Sequence, residues 1–250
     1  MNRRDDISKL YTIPSFLNKI LTLLFWLNTV VAFAALCLPD GSDRILIWLQ
    51  VLFALACVLV SVIDDGFFWF KAESGRRQNC IEDAFAIELS EKKTNGYYNN
   101  AAAPSIVRYA LDNYESAYCS QSTSQKMLPK AIIKTVVAMI VFLISWRAVE
   151  NGDIVLLVVQ TLFSSTFLLD TIMLGFYVFR VGRICDNFYT LFISEGGSIT
   201  PSREALLLSY SVEYEAIKAF YKIRLDEKIF LRDRDNLSKC WDELVMKIKV

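Results

Sequence analysis

The chain has 250 residues, 54% of them hydrophobic, and its 27 lysines and arginines balance its 27 aspartates and glutamates. It contains no histidine, which excludes Ser-His and Cys-His nucleophile systems and every zinc site that needs a histidine ligand. Its apolar fraction exceeds the roughly 45–50% of an average soluble domain. The apolar residues also occur in blocks, which indicates a membrane protein.

Two apolar segments in residues 1–63 predict a first transmembrane hairpin. Residues 20–38 and 45–63 are each long enough for the about 20 residues that cross the hydrocarbon core of a bilayer. The connector "PDGSDR" is a short polar turn. We therefore expect two antiparallel helices here.

A second hairpin is predicted within residues 131–179. Its spans are residues 131–146 and 154–179, joined by the polar stretch "RAVENGD". The largely polar residues 64–130 and 180–250 remain as a middle insert and a tail. The fold class predicted is an all-α membrane protein with four spans and a helical cytosolic bundle formed by the insert and the tail.

The distribution of cations predicts the orientation. The two hairpin turns contain only Arg44 and Arg147, and the other 25 lysines and arginines flank or occupy the opposite side. Positive charge is retained on the cytosolic side of a membrane. Both termini and the insert are therefore expected in the cytoplasm of a multi-pass protein.

Asp170 lies in the fourth span, where a carboxylate is costly unless it is paired, protonated or facing water. Lys134 of the third span is predicted at nearly the same depth, so the two could form an ion pair. Alternatively, Lys134 could extend to the cytosolic headgroups, while Asp170 faces water or another subunit or is protonated against lipid. Together with Gln160 and nearby hydroxyls it could either fix the helix register or line a water-filled path.

The insert is predicted to contain two helices. The first continues from the second span into the cytosol and has one apolar face, formed by Ile81, Ala84, Phe85 and Leu89. "TNGYYNN" ends it, since Asn-Gly is a strong turn signal. The second begins near Pro104 in "PSIVRYALDNYESAYCS" and has Ile106, Tyr109, Ala110 and Tyr114 at helical spacing. We expect this helix to pack on its neighbour, although its aromatic and amide groups could also form a small-molecule pocket.

The tail is also predicted to be helical. Thr200 as cap, Pro201 in the first turn and Glu204 predict a helix start, and the pattern continues to about Arg232. An apolar stripe should pack on the insert and comprises Leu206, Tyr210, Tyr214, Ile217 and Tyr221. A last helix over residues 237–250 has Leu237, Trp241, Leu244, Val245 and Ile248 on one side.

The remaining motifs predict no metal, cofactor or nucleic-acid site. The six cysteines form no C-x-x-C pair, so we interpret them as free thiols. Asp64 and Asp65 of "DDGFFWFK" have no D-D-x-x-D spacing and are expected at a solvated membrane boundary. Acidic residues interrupt the basic ones in the tail, so no nucleic-acid groove is predicted.

Two stretches carry a resemblance to a known family. "RRQNCIEDAFAIEL" is similar to an amphipathic segment with a carboxylate-Phe pair, here Asp83 and Phe85, and "KIRLDEKIFLRDR" is similar to a tail segment, here with Arg224, Asp226, Ile229 and Arg232. With the order hairpin, insert, hairpin, tail, the chain resembles the four-transmembrane effectors encoded beside cyclic-oligonucleotide synthases in bacterial anti-phage (CBASS-type) systems.

The resemblance implies an anti-phage effector of the bacterial inner membrane that oligomerises or opens on infection and permeabilises the bilayer, causing abortive infection. It implies regulatory roles for Asp83, Phe85, Arg224, Asp226 and Arg232. The partners it implies are lipid, other copies of the chain, and a cyclic nucleotide or a protein from the same operon.

A different interpretation is a non-catalytic membrane sensor or scaffold that recruits a cytosolic protein. An enzyme acting on lipids is not expected, because the sequence has no second cluster of metal ligands beside "DDG".

Overall fold

The computed structural model of the chain describes residues 4–37, 43–89, 94–95, 98, 100, 102–148, 167–195 and 197–248. Within these residues the fold is helical, apart from connecting loops and one antiparallel ladder of two residues on each side. The ladder pairs β1 (Arg4–Asp5) with β2 (Thr94–Asn95). The predicted all-α class is confirmed at this level.

The first two apolar segments form helices that pack against each other. A 3-10 turn (Ser8–Tyr11) leads into α1 (Thr12–Cys37), and α2 covers Asp43–Ile63. The predicted span 45–63 agrees closely with α2. The helix that contains residues 20–37 of the first predicted span begins earlier, at Thr12. Pro14 lies in its first turn, where a missing backbone N–H costs nothing.

Two helical stretches, Ser8–Val31 and Trp48–Phe85, are long and apolar enough to cross a membrane. This finding weakly suggests membrane association. The structure describes the second predicted hairpin as helix up to Ala148 and again from Phe167. Residues 149–166, which include most of the connector and half of the predicted fourth span, lie outside the described residues, so four spans stay a prediction.

The second span continues into the insert as a helix, as predicted. After α2 comes a π-helical turn (Asp64–Trp69), and then α3 (Phe70–Phe85). The prediction of a solvated Asp64 is wrong. Its side chain is fully buried in the π-helical turn, which packs against the 3-10 turn and α1.

α3 ends before Leu89, contrary to the prediction that Leu89 extends its apolar face. Ala86 adopts a left-handed conformation with φ 53°. The backbone N–H of Ile87 donates to the Glu82 carbonyl at 3.2 Å, which is the 6→1 hydrogen bond of a Schellman motif. The Leu89 N–H donates to Glu82 Oε1 at 2.6 Å. Glu82 therefore accepts two hydrogen bonds from the segment that follows α3, one at its backbone carbonyl and one at its side chain.

The predicted insert helix and the third span form one helix, α4 (Ile106–Ala148), of 43 residues. Ser105 caps it by accepting from Arg108 N at 3.2 Å. In the stretch after Ser120 the hydroxyls bond to the preceding turn, Thr123 to the Cys119 carbonyl at 2.8 Å among them. Pro129 removes one backbone donor without ending the helix.

The tail helix begins where it was predicted to begin, but the break between the two tail helices lies at a different position from the predicted one. After α5 (Phe167–Tyr189) and a π-helical turn (Thr190–Ser194), α6 covers Pro201–Tyr221, and Thr200 Oγ1 accepts from Arg203 N at 3.3 Å.

The prediction of continuous helix to Arg232 is wrong. Lys222 is left-handed (φ 49°), and Asp226 caps α7 (Glu227–Val245), which includes most of the predicted last helix. A left-handed residue followed by a new capping side chain ends one helix and starts the next.

The described chain divides into two compact units. Unit 1 comprises Met1–Asp6, Gly75–Ala131 and Ile172–Val250, and unit 2 comprises Ile7–Ser74 and Ile132–Thr171. The core of unit 1 is aromatic: the Tyr114 ring lies 5.3 Å from the Phe188 ring and 5.1 Å from the Trp241 ring, centroid to centroid.

The predicted stripe of α6 is confirmed in part. Tyr214 and Ile217 are buried, and Tyr210 and Tyr221 are partly buried against the core. Leu206 is 43% exposed, and Leu207 occupies the core in its place. Of the predicted last-helix residues, Leu237 and Trp241 are buried, and the other three pack on the core.

Candidate functional site

Two predicted regulatory residues lie at the end of α3 and contact the start of α4. Asp83 Oδ2 is 3.0 Å from Arg108 Nη2 in an ion pair. The Phe85 ring stacks on the Tyr109 ring, with centroids 6.3 Å apart. The chain turns back after the Schellman end of α3, and the Ser105 cap starts α4 beside that end. The end of α3 and the start of α4 are therefore close enough for this contact.

A buried carboxyl group lies one turn further along α4. Asp112 is fully buried and accepts a hydrogen bond from Asn100 Nδ2, while its other oxygen has no hydrogen-bond partner among the described residues. Burial and, after it, the negative charge of Asp83 raise the pKa of Asp112 to about 8, although Arg108 acts in the opposite direction. Asp112 is therefore neutral below that pH.

The neighbouring side chains are packed rather than reactive. Asn113 Nδ2 donates to the Tyr109 carbonyl at 2.9 Å and lies 3.8 Å from Cys80 Sγ. Burial raises the pKa of the Cys80 thiol to about 12. A thiol that stays protonated is a poor nucleophile. Cys80 thus acts as a small core residue, in line with the free-thiol interpretation.

An ion-pair triad joins α3 to α6. Glu215 lies 3.1 Å from Arg77 Nε and 2.6 Å from Lys218 Nζ, one carboxylate oxygen to each cation. The Lys218 ammonium also lies 4.9 Å from the centroid of the Tyr214 ring. Because Glu215 is mostly buried, its two cations compensate for lost solvation.

Hydroxyl groups join α4 to α6. The Tyr214 hydroxyl is 3.2 Å from Ser116 Oγ and 2.9 Å from Ser120 Oγ. Tyr214 is fully buried, and burial raises its pKa well above the ordinary value. α3, α4 and α6 are therefore connected by directional polar contacts, each of which requires a particular helix register.

The other predicted regulatory residues lie near α7. Asp226 Oδ1 accepts from the backbone N–H groups of Lys228 at 2.9 Å and Ile229 at 3.3 Å, so it is the helix cap. Arg232 lies 3.1 Å from Asp233. Arg224 is half-buried in the loop between α6 and α7.

The structure does not bring the two predicted regulatory groups together. Asp226 N donates to Met127 Sδ at 3.3 Å, and Lys126 pairs with Asp233 at 3.0 Å, so the tail group lies beside residues 126–127 of α4. The α3 group lies beside Arg108. At ~1.5 Å per residue these positions are about 27 Å apart along α4. They form two separate contacts with one helix.

Two of the three polar residues predicted in the second hairpin lie on described helices, Lys134 on α4 and Asp170 on α5. Thr135 Oγ1 and Thr171 Oγ1 are 2.8 Å apart and join the two helices. Lys134 and Asp170, both exposed, each precede one of these threonines. The bond therefore fixes Lys134 and Asp170 at nearly the same level, and an ion pair between them stays a prediction. Gln160 lies outside the described residues.

Sequence reasoning did not find Arg108 and Asp112. A signal existed in "YALDNY", where a charged residue is surrounded by aromatic, aliphatic and amide side chains. In the structure Tyr109 to Tyr114 are all buried, so this turn of α4 has no solvent-facing side where the carboxyl group could lie. The Asp83–Arg108 pair had no local signal, since it depends on the chain reversal after α3.

In the part of the chain that the structure describes, no three cysteine, aspartate or glutamate side chains converge as metal ligands would. No protein-family model, no curated protein and no solved structure matches the chain. What the site can do chemically therefore follows from its own groups, which are ion pairs, hydrogen bonds and one buried neutral carboxyl.

Proposed function

We propose that the chain is a membrane-integral effector of bacterial anti-phage defence, which permeabilises the inner membrane when activated and so causes abortive infection. It has both termini in the cytoplasm and acts as a homo-oligomer. Its activating signal is a cyclic nucleotide or a protein from the same operon. No catalytic step is required.

The observation that carries the proposal is the apolar surface of α1 and α2. Trp26 is 59% exposed and Trp48 is 73% exposed, and many aliphatic side chains of the same helices are exposed to a similar degree. Soluble monomers rarely expose apolar patches of this extent. Lipid is the surrounding in which such a surface is stable.

Polar groups in the predicted second hairpin support an active role in the membrane. Lys134, Asp170 and the bonded threonines lie where α4 and α5 meet. Ionisable residues inside a bilayer generally face other helices or water and mark functional sites. In the proposed mechanism they contact a neighbouring subunit or a water path once the effector opens.

The polar contacts of unit 1 support regulation. The pairs Asp83–Arg108 and Arg77–Glu215 connect α3 with α4 and α6. A signal can shift such an assembly only by binding one arrangement of the helices more tightly than another. In the proposed mechanism, therefore, binding to this unit favours the open packing of the spans.

Toxicity and membrane potential test the proposal. The chain is expressed with its genomic neighbours, with and without infection, while a potential-sensitive dye is measured. Depolarisation is expected in the wild type and should be lost in Asp170→Ala, with insertion unchanged because one side chain does not set the hydropathy of a span. Asp235→Ala is the control, since Asp235 is 90% exposed on α7.

Wild-type toxicity in Asp170→Ala would contradict an active role for that acid. A normal potential during infection would contradict the effector proposal as a whole.

A second candidate function is a scaffold that recruits a cytosolic protein. The outer face of α6 favours it: Leu208, Val212 and Ala216 are exposed on one side of the helix without a charge between them. Normal membrane potential together with a protein that cross-links to this face in infected cells would support the scaffold.

A further inference from the structure

We propose that Lys130, Arg180 and Arg183 bind the headgroups of anionic phospholipids. We call these three residues the cationic band. The inference rests on the proposed membrane insertion, but not on toxicity or on Asp170. The ligand is the phosphodiester of a bilayer lipid with a net negative charge.

The band lies on two antiparallel helices. In unit 1 the Tyr114 ring of α4 stacks on the Phe188 ring of α5, and nearer the spans Gln121 approaches Gly182. The Gln121 amide nitrogen would be 3.1 Å from a Cβ at position 182, so the glycine allows the close approach. These contacts place Lys130 about 10 Å from the level of Arg180 along the pair.

The direction of the side chains makes the distance between the charges of Lys130 and Arg180 shorter than the distance between their backbones. Side chains of an α-helix lean toward its N-terminus. In an antiparallel pair Lys130 therefore leans toward the level of Arg180, while Arg180 and Arg183 lean toward the level of Lys130. Long basic side chains reach an interface in this way, with their aliphatic stems in apolar surroundings and their charges outside.

The band follows directly on an apolar surface. On α5, Phe176 and Phe179 are 55% and 60% exposed. The next exposed residues along this helix are Arg180 and Arg183. On α4 the exposed Pro129 and Lys130 precede the exposed Ile132 and Ile133. Aromatic side chains beside cations are typical of the boundary between hydrocarbon and headgroups.

The charges of the band are not used within the described protein. Lys126 pairs with Asp233 at 3.0 Å. In contrast, no ion pair of the described residues includes Lys130, Arg180 or Arg183. The Arg183 guanidinium carbon lies 6.0 Å from the centroid of the Phe179 ring, a cation–π contact that leaves its N–H groups available.

The chemistry of these groups selects a net anionic lipid. A guanidinium donates two parallel hydrogen bonds to a phosphate, and an ammonium adds a point charge. Phosphatidylcholine has its own cation and gains little from the band. Phosphatidylglycerol has none, so each Lys or Arg near its headgroup should strengthen binding about fivefold.

The test measures lipid retention by the full-length protein in micelles that contain equal amounts of phosphatidylglycerol and phosphatidylcholine, by native mass spectrometry. The wild type should retain phosphatidylglycerol in excess. The ratio of the two lipids should fall about 25-fold in Arg180→Gln/Arg183→Gln and about fivefold in Lys130→Gln. Inorganic phosphate should not displace the bound lipid.

The control is Lys239→Gln/Lys247→Gln. It also removes two exposed cations, but near Trp241, which packs on Tyr114 at the other end of unit 1. Equal retention of the two lipids by the wild type, or the same fall in the control, would overturn the proposal. Displacement by phosphate would assign the band to free anions instead.

Lys130→Gln changes a single exposed residue and tests the band even if the double variant does not fold. A protein that depolarises membranes without lipid preference would refute the band alone, whereas one that does not enter micelles would refute membrane insertion as well.

Discussion

Asp112 is a residue whose protonation differs strongly from that of an exposed aspartate. It is a fully buried acid with one hydrogen bond, and Asp83 adds negative charge nearby. A neutral carboxyl is tolerable in such a place, but a carboxylate is not. Protonation of Asp112 thus stabilises unit 1.

Replacing Asp112 with asparagine should reduce the pH dependence of stability, because an amide side chain does not titrate. The wild-type pKa is about 8 when folded and near 4 when unfolded, so the folded state binds more protons in this interval. The free energy of unfolding should fall as pH rises from about 4 to 8, by on the order of 1.4 kcal/mol per unit. In Asp112→Asn this fall should be absent.

Thermal unfolding in detergent between pH 5 and 9 measures this difference, with Asp235→Asn as the exposed control. If Asp112→Asn and the control lose stability with pH as steeply as the wild type, the buried carboxyl is already ionised.

At the scale of helices, features that depend on residues close in sequence were predicted. Features that depend on contacts between distant parts of the chain were not. Thr200 and Pro201 predicted the start of α6, because a cap needs only residues close in sequence. The break at Lys222 had no comparable signal, since "KIRLDEK" contains neither glycine nor proline. Asp226 becomes a cap only because the chain turns there.

Residue 130, predicted as the boundary between the insert and the second hairpin, lies inside α4, and the two compact units divide next to it, after Ala131. Serine and threonine have low helix propensity, and "SQSTSQ" is nevertheless helical. In the structure Thr123 and Ser124 are buried and their hydroxyls bond to preceding carbonyls. Packing on the rest of unit 1 determines the helix there, and packing partners could not be identified from one sequence.

Asp226 allows a capping role to be distinguished from a regulatory charge. Asp226→Ala should lower the free energy of unfolding by about 1 kcal/mol, because two backbone N–H groups lose their acceptor. Asp226→Asn should retain stability, since asparagine is an equally good cap. Thermal unfolding measures both variants.

Toxicity of the same variants then separates the two roles. If Asp226 acts only as a cap, Asp226→Asn remains toxic. If its charge transmits the signal, Asp226→Asn is stable and inactive, which would contradict a purely capping role.

At the scale of the whole molecule, the arrangement of cations makes a protease test unusually direct. Trypsin cleaves after lysine and arginine, and the two predicted external turns contain only Arg44 and Arg147. Spheroplasts should therefore protect nearly the whole chain. Inverted vesicles from the same cells should lose the insert and the tail.

The outcome that would contradict this topology is cleavage within residues 72–127 from the outside of intact spheroplasts. The reversed orientation, or fewer spans, would then be required, and the proposed cytosolic activation would fail with it.

The π-helical turn after α2 has a consequence for how the chain can change in evolution. It contains one residue more than an α-helical turn needs, and each residue rotates a helix by about 100°. With this extra residue, Trp69 and Glu73 both reach Tyr11, whose ring lies 5.6 Å from Trp69 and whose hydroxyl donates to Glu73 at 2.7 Å. Losing a single codon there would give a more regular helix with both side chains aimed elsewhere.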